Sequence, residues 1–167
     1  MKKFNGLINQ IKDVRQMVKI AIIAAVYVAL CLVLAPISYG EIQFRISEIL
    51  LVLPFYNKKY SISLILGTFI ANIFSPMGIS DMIFGTAATL LVCIIIINLK
   101  DKKFIALAAA VINGIVVGAE LYFVLHLNLV LSIIYVAVGE FVVVLIGVIV
   151  FTGIEKVNRK FINLLKS

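Results

Sequence analysis

The chain has 167 residues, 63% of them hydrophobic and 14% charged, with a mean hydropathy of +1.19. A soluble domain of this length is nearer half apolar and a quarter charged, so there is too little polar side chain to coat a water-facing globule. The composition specifies one integral membrane domain over residues 1–167 and excludes an appended soluble catalytic or nucleic-acid-binding domain. At about 20 residues per span, the chain has room for roughly six helices with short connections.

In chain order, residues 1–19 read as a cytoplasmic N-terminal segment. Phe4, Leu7, Ile8 and Ile11 recur at helical spacing among its lysines, which fits a short helix lying on the leaflet or, alternatively, a disordered tail. The apolar stretch that follows is too long for a cleaved signal peptide and has no small-x-small site near its end. A six-helix bundle is expected over 20–155. Its first span runs from Ile20 to Gly40, with Pro36 ending it. The second is a short run from Ile49 to Asn57. Counted from Arg45 to Tyr56 it would reach only about 18 Å, well short of a 30 Å hydrocarbon core. It therefore either begins nearer Ile42 or lies tucked against its neighbours. Tyr60 to Ser80, Met82 to Leu99, Phe104 to Leu127 and Leu129 to Ile154 are the remaining spans, and 156–167 is a cytoplasmic tail. The expected fold is an all-α polytopic membrane protein.

The basic residues set the orientation. Lys2, Lys3, Lys12, Arg15 and Lys19 precede the first span. Lys58 and Lys59 follow the second, Lys100, Lys102 and Lys103 follow the fourth, and Lys156, Arg159, Lys160 and Lys166 follow the sixth. Fourteen of the fifteen Lys and Arg residues thus fall on one side of a six-span topology. The positive-inside tendency makes that side the cytoplasm, with both termini inside. This distribution also accounts for the net charge of +7 as topology signal and headgroup contact, without a nucleic-acid partner.

The acids divide differently. Asp13, Asp101 and Glu155 lie among the cytoplasmic lysines. Glu41, Glu48, Asp81, Glu120 and Glu140 fall at the outer connections or within the membrane, with Arg45 as the one basic residue near them. Glu140 lies about 16 Å below the outer end of its span, and Glu120 about 10 Å. A bare carboxylate at such depth costs several kcal/mol, so it must face a cavity, be paired or be protonated. Glu41, Arg45 and Glu48 share a face if their segment is helical. Arg45 can pair with a neighbouring glutamate, and Asp81, following Ser80, can serve as a helix cap. Neither explanation reaches Glu120 and Glu140, which have no lysine or arginine in their own spans. The expectation is an outward-opening acidic pocket suited to positive charge or several donated hydrogen bonds.

Small residues at four-residue spacing permit close helix approach. Ala21, Ala25 and Ala29 do so on the first span, where either this chain or another membrane subunit can dock. Gly67 and Ala71 on the third, and Ala106, Ala110, Gly114 and Gly118 on the fifth, read as packing within the chain. Asn72 is either an interhelical hydrogen bond or a ligand contact. Among the aromatics near the acids are Tyr39, Phe44, Phe74, Phe84, Tyr122 and Tyr135, which read mostly as packing or interface anchors. His126 reads as interfacial. Cys31 and Cys93 sit in apolar runs as small hydrophobes, giving no disulfide and no metal site. No phosphate loop and no H-E-x-x-H are present, a single histidine cannot build a multi-histidine metal site, and no nucleophile–base pair can be drawn. The reading is a binding and transport module rather than an enzyme, with no cofactor.

Four runs carry a family likeness. Gln43-Phe44-Arg45-Ile46-Ser47-Glu48 precedes Leu53-Pro54-Phe55. Gly67-Thr68-Phe69-Ile70-Ala71-Asn72 follows, and then Asp81-Met82-Ile83-Phe84-Gly85-Thr86-Ala87-Ala88-Thr89-Leu90. Together they resemble the QueT family, substrate-capture subunits (S components) of energy-coupling factor transporters. The resemblance runs nearly the whole chain and is strongest over 41–90. It implies a six-helix S component that captures a queuosine precursor, aminomethyl-deazaguanine, from outside. It further implies a transmembrane coupling subunit and two ATP-binding cassette subunits that supply ATP hydrolysis. By the same likeness, Ala21, Ala25 and Ala29 dock on the coupling subunit, the loop from Pro36 to Phe44 gates the pocket, and the S component rotates in the membrane to release its ligand.

The residues agree on separate ground. A guanine-like edge offers adjacent N–H donors that one carboxylate accepts together, and a protonated aminomethyl group suits a second. Glu120 and Glu140 are expected to include the base-edge reader. One of Glu41, Glu48 and Asp81 would meet the ammonium, Asn72 a ring heteroatom, and Arg45 and Phe84 complete the expected site. Alternatives are a cation- or proton-coupled secondary transporter, with Glu120 and Glu140 as a relay, and an S component for another purine or cationic vitamin.

Overall fold

Charged and turn-forming residues divide the apolar chain into helices, and helices are what a lipid-embedded backbone requires, because each satisfies its own hydrogen bonds. The structure, a computed structural model, describes residues 14–38 and 44–166, all helix or short connection, with no strand among them. Expectations for the amphipathic N-terminal segment, Tyr39 and Glu41 lie outside the described residues. In chain order the helices are α1 (Val14–Val33), α2 (Ala35–Ser38), a 3-10 helix (Ile46–Val52) running directly into α3 (Leu53–Tyr56), α4 (Tyr60–Asn72) and α5 (Ile79–Ile96). A short 3-10 turn (Lys102–Phe104) then leads into α6 (Ile105–Leu125), followed by α7 (Leu129–Val157) and α8 (Arg159–Lys166). Among the described residues, four segments are long and apolar enough to cross a membrane: α1, α5, α6 with its preceding turn, and α7.

Several boundaries differ from the sequence reading. The first helix starts at Val14, not Ile20, so Arg15 and Lys19 belong to it. It stops at Val33, and Pro36 sits inside the short α2, where its missing N–H costs nothing in a first turn. The third span ends at Asn72 instead of Ser80. Pro76 has no N–H and biases Ser75 away from helical geometry, and Gly78 takes φ +60°, a conformation open to glycine alone at little cost. Gly78 is also the residue that caps α5, which begins at Ile79. Asp81 therefore lies in the first turn and is not the cap. His126 closes α6 in the left-handed conformation.

The second apolar run is the 11-residue stretch Ile46–Tyr56. Ser47, Glu48, Leu51, Val52, Leu53 and Pro54 are all buried, so protein surrounds this element on most sides. Gly147 makes room for it: a Cβ there would lie 2.7 Å from the carbonyl oxygen of Ile49. The small residues of α4 and α6 serve packing within the chain. Gly67 lies against the Tyr27 ring, and a Cβ on Gly118 would meet Ile133 Cα at 2.7 Å, which brings α6 and α7 into their extensive contact. On α1, by contrast, Ala24, Tyr27 and Cys31 are buried while Ala21, Ala25 and Ala29 are exposed.

The core has two apolar clusters. The larger joins Tyr27, Leu51, Leu64, Ile96, Ile105, Val144 and Phe151, among others; the smaller is Ala88, Val117, Leu121 and Val136. At the far end of the larger one, side chains from helix ends and connections meet. Lys19 Nζ donates to the Leu164 carbonyl at 3.3 Å, Asn57 Nδ2 to that of Lys166 at 3.4 Å, and Lys102 Nζ to Glu155 at 2.6 Å. The C-terminal segment is helical: α8 buries Ile162 and Leu165 against this end.

Candidate functional site

Between the two apolar clusters lies a polar one. On α7, Glu140 sits one turn from Val136 of the smaller cluster and one turn from Val144 of the larger. Beside it are Arg45 and Glu48 from the 3-10 segment, Asp81 from α5 and Glu120 from α6. Asp81 is 0% exposed, Glu48 and Glu120 are 1%, and Arg45 and Glu140 are 4%. Arg45 is within electrostatic reach of all four carboxylates, Glu48 of Glu140, and Asp81 of Glu120. Four buried acids therefore share one guanidinium, a formal −3 among the described residues.

Arg45 is the N-cap of the 3-10 helix, with φ −83° and ψ 84°. Of the face expected for Glu41, Arg45 and Glu48, Glu41 lies outside the described residues; Arg45 and Glu48 are joined by 3-10 rather than α-helical backbone and still come into the same cluster. The guanidinium Nη2 lies 3.7 Å from Asp81 Oδ1, an ion pair too long to be a hydrogen bond. Glu48 accepts a hydrogen bond from the Tyr27 hydroxyl of α1. In the next turn of α1, Cys31 Sγ pairs with Ser47 Oγ at 3.0 Å.

The α4–α5 contact explains the residues between Gly67 and Thr89. The hydroxyls of Thr68 and Thr89 pair at 3.2 Å, and Asn72 Nδ2 donates to the backbone carbonyl of Asp81 at 2.7 Å. Gly85 is needed for that last bond, because a Cβ there would lie 2.5 Å from Asn72 Nδ2 and 3.1 Å from Asp81 Oδ1. Asn72 is therefore an interhelical tie whose Oδ1 remains buried without a donor.

The same holds for several acid oxygens. Both oxygens of Glu120, Oε2 of Glu48 and Oε2 of Glu140 are buried with no hydrogen-bond donor among the described residues. Burying such acceptors without donors costs roughly 1–3 kcal/mol each, and more when they are charged. This constellation can accept a ligand rich in N–H donors or carrying positive charge. No group of His, Cys, Asp and Glu among the described residues is arranged to hold a metal ion.

Of the residues expected in the site, Arg45, Glu48, Asn72, Asp81, Glu120 and Glu140 come together. Phe84 does not: it is 44% exposed on the outer surface of α5. Two participants were not singled out from sequence. Tyr27 is a mid-span tyrosine, away from the interfacial belts such residues favour, and that position is the signal that would have marked it. Asn113 is buried against Glu140 on α6; an amide within an otherwise apolar span carried the same kind of signal.

Comparison with known proteins follows this geometry. The profile of the family described as QueT transporter matches residues 17–156. Queuosine precursor transporter QueT of Lactococcus lactis subsp. cremoris (strain MG1363) is 35% identical over 155 residues, covering 83% of this chain and 91% of that protein. No solved structure gives a significant match. The match over most of both chains, together with the apolar helices, establishes a membrane transport protein: the chain belongs to the QueT transporter family.

Proposed function

We propose that the chain is the substrate-capture subunit of an energy-coupling factor importer and that it binds a queuosine precursor, aminomethyl-deazaguanine, in the buried acidic cluster. It is one membrane domain over residues 1–167, with six helices across or within the bilayer and both termini cytoplasmic in a bacterial plasma membrane. The short Ile46–Tyr56 and Tyr60–Asn72 helices are protected by their neighbours where they fall short of the full thickness. The convergence of Lys19, Asn57, Lys102 and Lys166 at one end supports placing the basic connections together on the cytoplasmic face.

The observation that carries the reading is the set of buried acid oxygens without donors. Glu48 is partly engaged by Tyr27; Asp81 and Glu120 both have two oxygens without a hydrogen bond among the described residues, but Asp81 is ion-paired with Arg45, which leaves Glu120 as the carboxylate with neither kind of partner. It accepts the paired N–H donors of the guanine-like edge. Glu140 and Glu48, which lie within electrostatic reach of each other, take the aminomethyl ammonium, and Asn72 Oδ1 accepts a ring N–H.

The exposed Ala21, Ala25 and Ala29 form the face that docks on a transmembrane coupling subunit, and two ATP-binding cassette subunits hydrolyse ATP on its behalf. The chain itself is not an enzyme. Uptake of labelled aminomethyl-deazaguanine into vesicles tests the assembly. The expected result is ATP-dependent uptake only when the coupling and ATPase subunits are present. Uptake by this chain alone, driven by a pH gradient, would replace the proposal with a proton-coupled carrier.

A further inference from the structure

Where the last turns of α7 meet α8, the structure forms an open cleft of about 430 Å³, within the volume range of small-ligand sites, with Lys156 and Arg159 exposed at its rim. It lies among the cytoplasmic connections, away from the acidic cluster. Its walls come from three elements, and four basic residues line it, Lys102, Lys156, Arg159 and Lys166, against one acid, Glu155. Lys102 is neutralised by Glu155 at 2.6 Å, and Lys166 lies over the Tyr56 ring, 5.8 Å from its centre. The ion pairs among the described residues leave Lys156 and Arg159 with no carboxylate. Ile162, buried at the base of α8, fixes that wall to the core.

Excess basic charge on this face is ordinary for a membrane protein, and lysines scattered over a surface specify nothing. A concave cleft with two unneutralised cations, next to the bilayer surface, does more: it concentrates positive potential at the level where phosphate groups lie. Arg159 brings the planar donor fork that matches phosphate oxygens, and Lys156 a second point charge.

We propose that this cavity is a binding site for a phosphate anion, presented either by the headgroup of an anionic lipid or by a free phosphate, with Lys156 and Arg159 as its principal contacts. The site is independent of the substrate reading and stands or falls without it.

The test compares wild-type chain with Lys156→Gln/Arg159→Gln, and with Lys58→Gln as a control for exposed basic charge outside the cavity. Each is purified from nanodiscs of phosphatidylglycerol or phosphatidylcholine and examined by native mass spectrometry. A lipid headgroup site predicts that one phosphatidylglycerol, and no phosphatidylcholine, is retained by wild type and by Lys58→Gln. Retention falls about tenfold or more in the double variant. If no lipid is retained but inorganic phosphate raises the thermal midpoint of delipidated wild type and not of the double variant, the site is for free phosphate. The conservative Lys156→Arg/Arg159→Lys variant keeps the charge and is expected to bind in either arm, which separates a lost site from a lost fold. Equal retention and equal phosphate response in wild type and double variant, or a loss as large in Lys58→Gln, would overturn the proposal.

Discussion

The Tyr27 hydroxyl donates to Glu48, joining the middle of α1 to the 3-10 helix 21 positions further along the chain. Tyr27 is fully buried, and it lies two residues from Ala25 and two from Ala29, on the opposite side of the helix from both. One helix thus presents an alanine face outward while holding a site carboxylate inward. Gly67 fits this arrangement, since a Cβ there would come within 3.0 Å of Tyr27.

Replacing Tyr27 with Phe leaves the whole of Glu48 without a side-chain donor. The expected loss is about 1–3 kcal/mol of stability, read as a lower unfolding midpoint in detergent. In a Glu48→Gln background the same replacement should cost clearly less. An equal cost in both backgrounds would mean that the tyrosine is held by packing and not by this bond.

Removing the cation that the four acids share is the harsher change. Arg45→Met leaves Asp81 without its ion-pair partner at 3.7 Å and the other buried carboxylates without nearby positive charge. Breaking one side of a buried pair typically costs about 3–5 kcal/mol. The variant is expected to be recovered in low yield or with a sharply reduced midpoint, and a near-normal midpoint would show that Arg45 does not neutralise the cluster.

Gly85→Ala tests the α4–α5 tie. The added methyl would stand 2.5 Å from Asn72 Nδ2, so the amide must leave the Asp81 carbonyl it holds at 2.7 Å. Destabilisation of roughly 1–3 kcal/mol is expected, and it should shrink in an Asn72→Ala background, where there is no amide to displace. Unfolding midpoints of the single and double variants decide it.

Two small-residue stripes should respond differently to bulk. Gly118→Ala drives a Cβ to within 2.7 Å of Ile133 Cα, forcing α6 and α7 apart and lowering the unfolding midpoint. Ala25→Leu adds bulk on an exposed face and is expected to leave the midpoint within about 0.5 kcal/mol of wild type. If the proposed docking face is the contact, the effect of this change appears as lost co-purification with a coupling subunit. Normal co-purification would remove Ala25 from the docking face.

Much of this arrangement was legible in the amino-acid order, because charge and depth are one-dimensional properties. The apolar runs located the helices, and the absence of any cation in the spans of Glu120 and Glu140 marked both as buried and unusual. The length of α4 was not legible from hydropathy, since Ile73 to Ser80 is mostly apolar, and the break comes from the backbone restrictions of Pro76 and Gly78. The central position of Arg45 was hidden because its four carboxylate neighbours arrive from three other elements as well as its own. Asn113 escaped notice for the same reason: its partner, Glu140, is on the next helix. Phe84 lies three residues from Asp81, on nearly the same helix face, which is why sequence brings it to the site; the structure leaves it 44% exposed while Asp81 is buried.

Calorimetric titration of the purified chain with aminomethyl-deazaguanine measures most directly whether the buried acids receive the ligand. Wild type is expected to bind, and Glu120→Gln and Glu140→Gln to bind at least about tenfold more weakly, the loss of roughly 1.4 kcal/mol or more expected when a charge-assisted pair is broken. No binding by the folded wild-type chain, or wild-type affinity in both glutamine variants, would contradict the assignment.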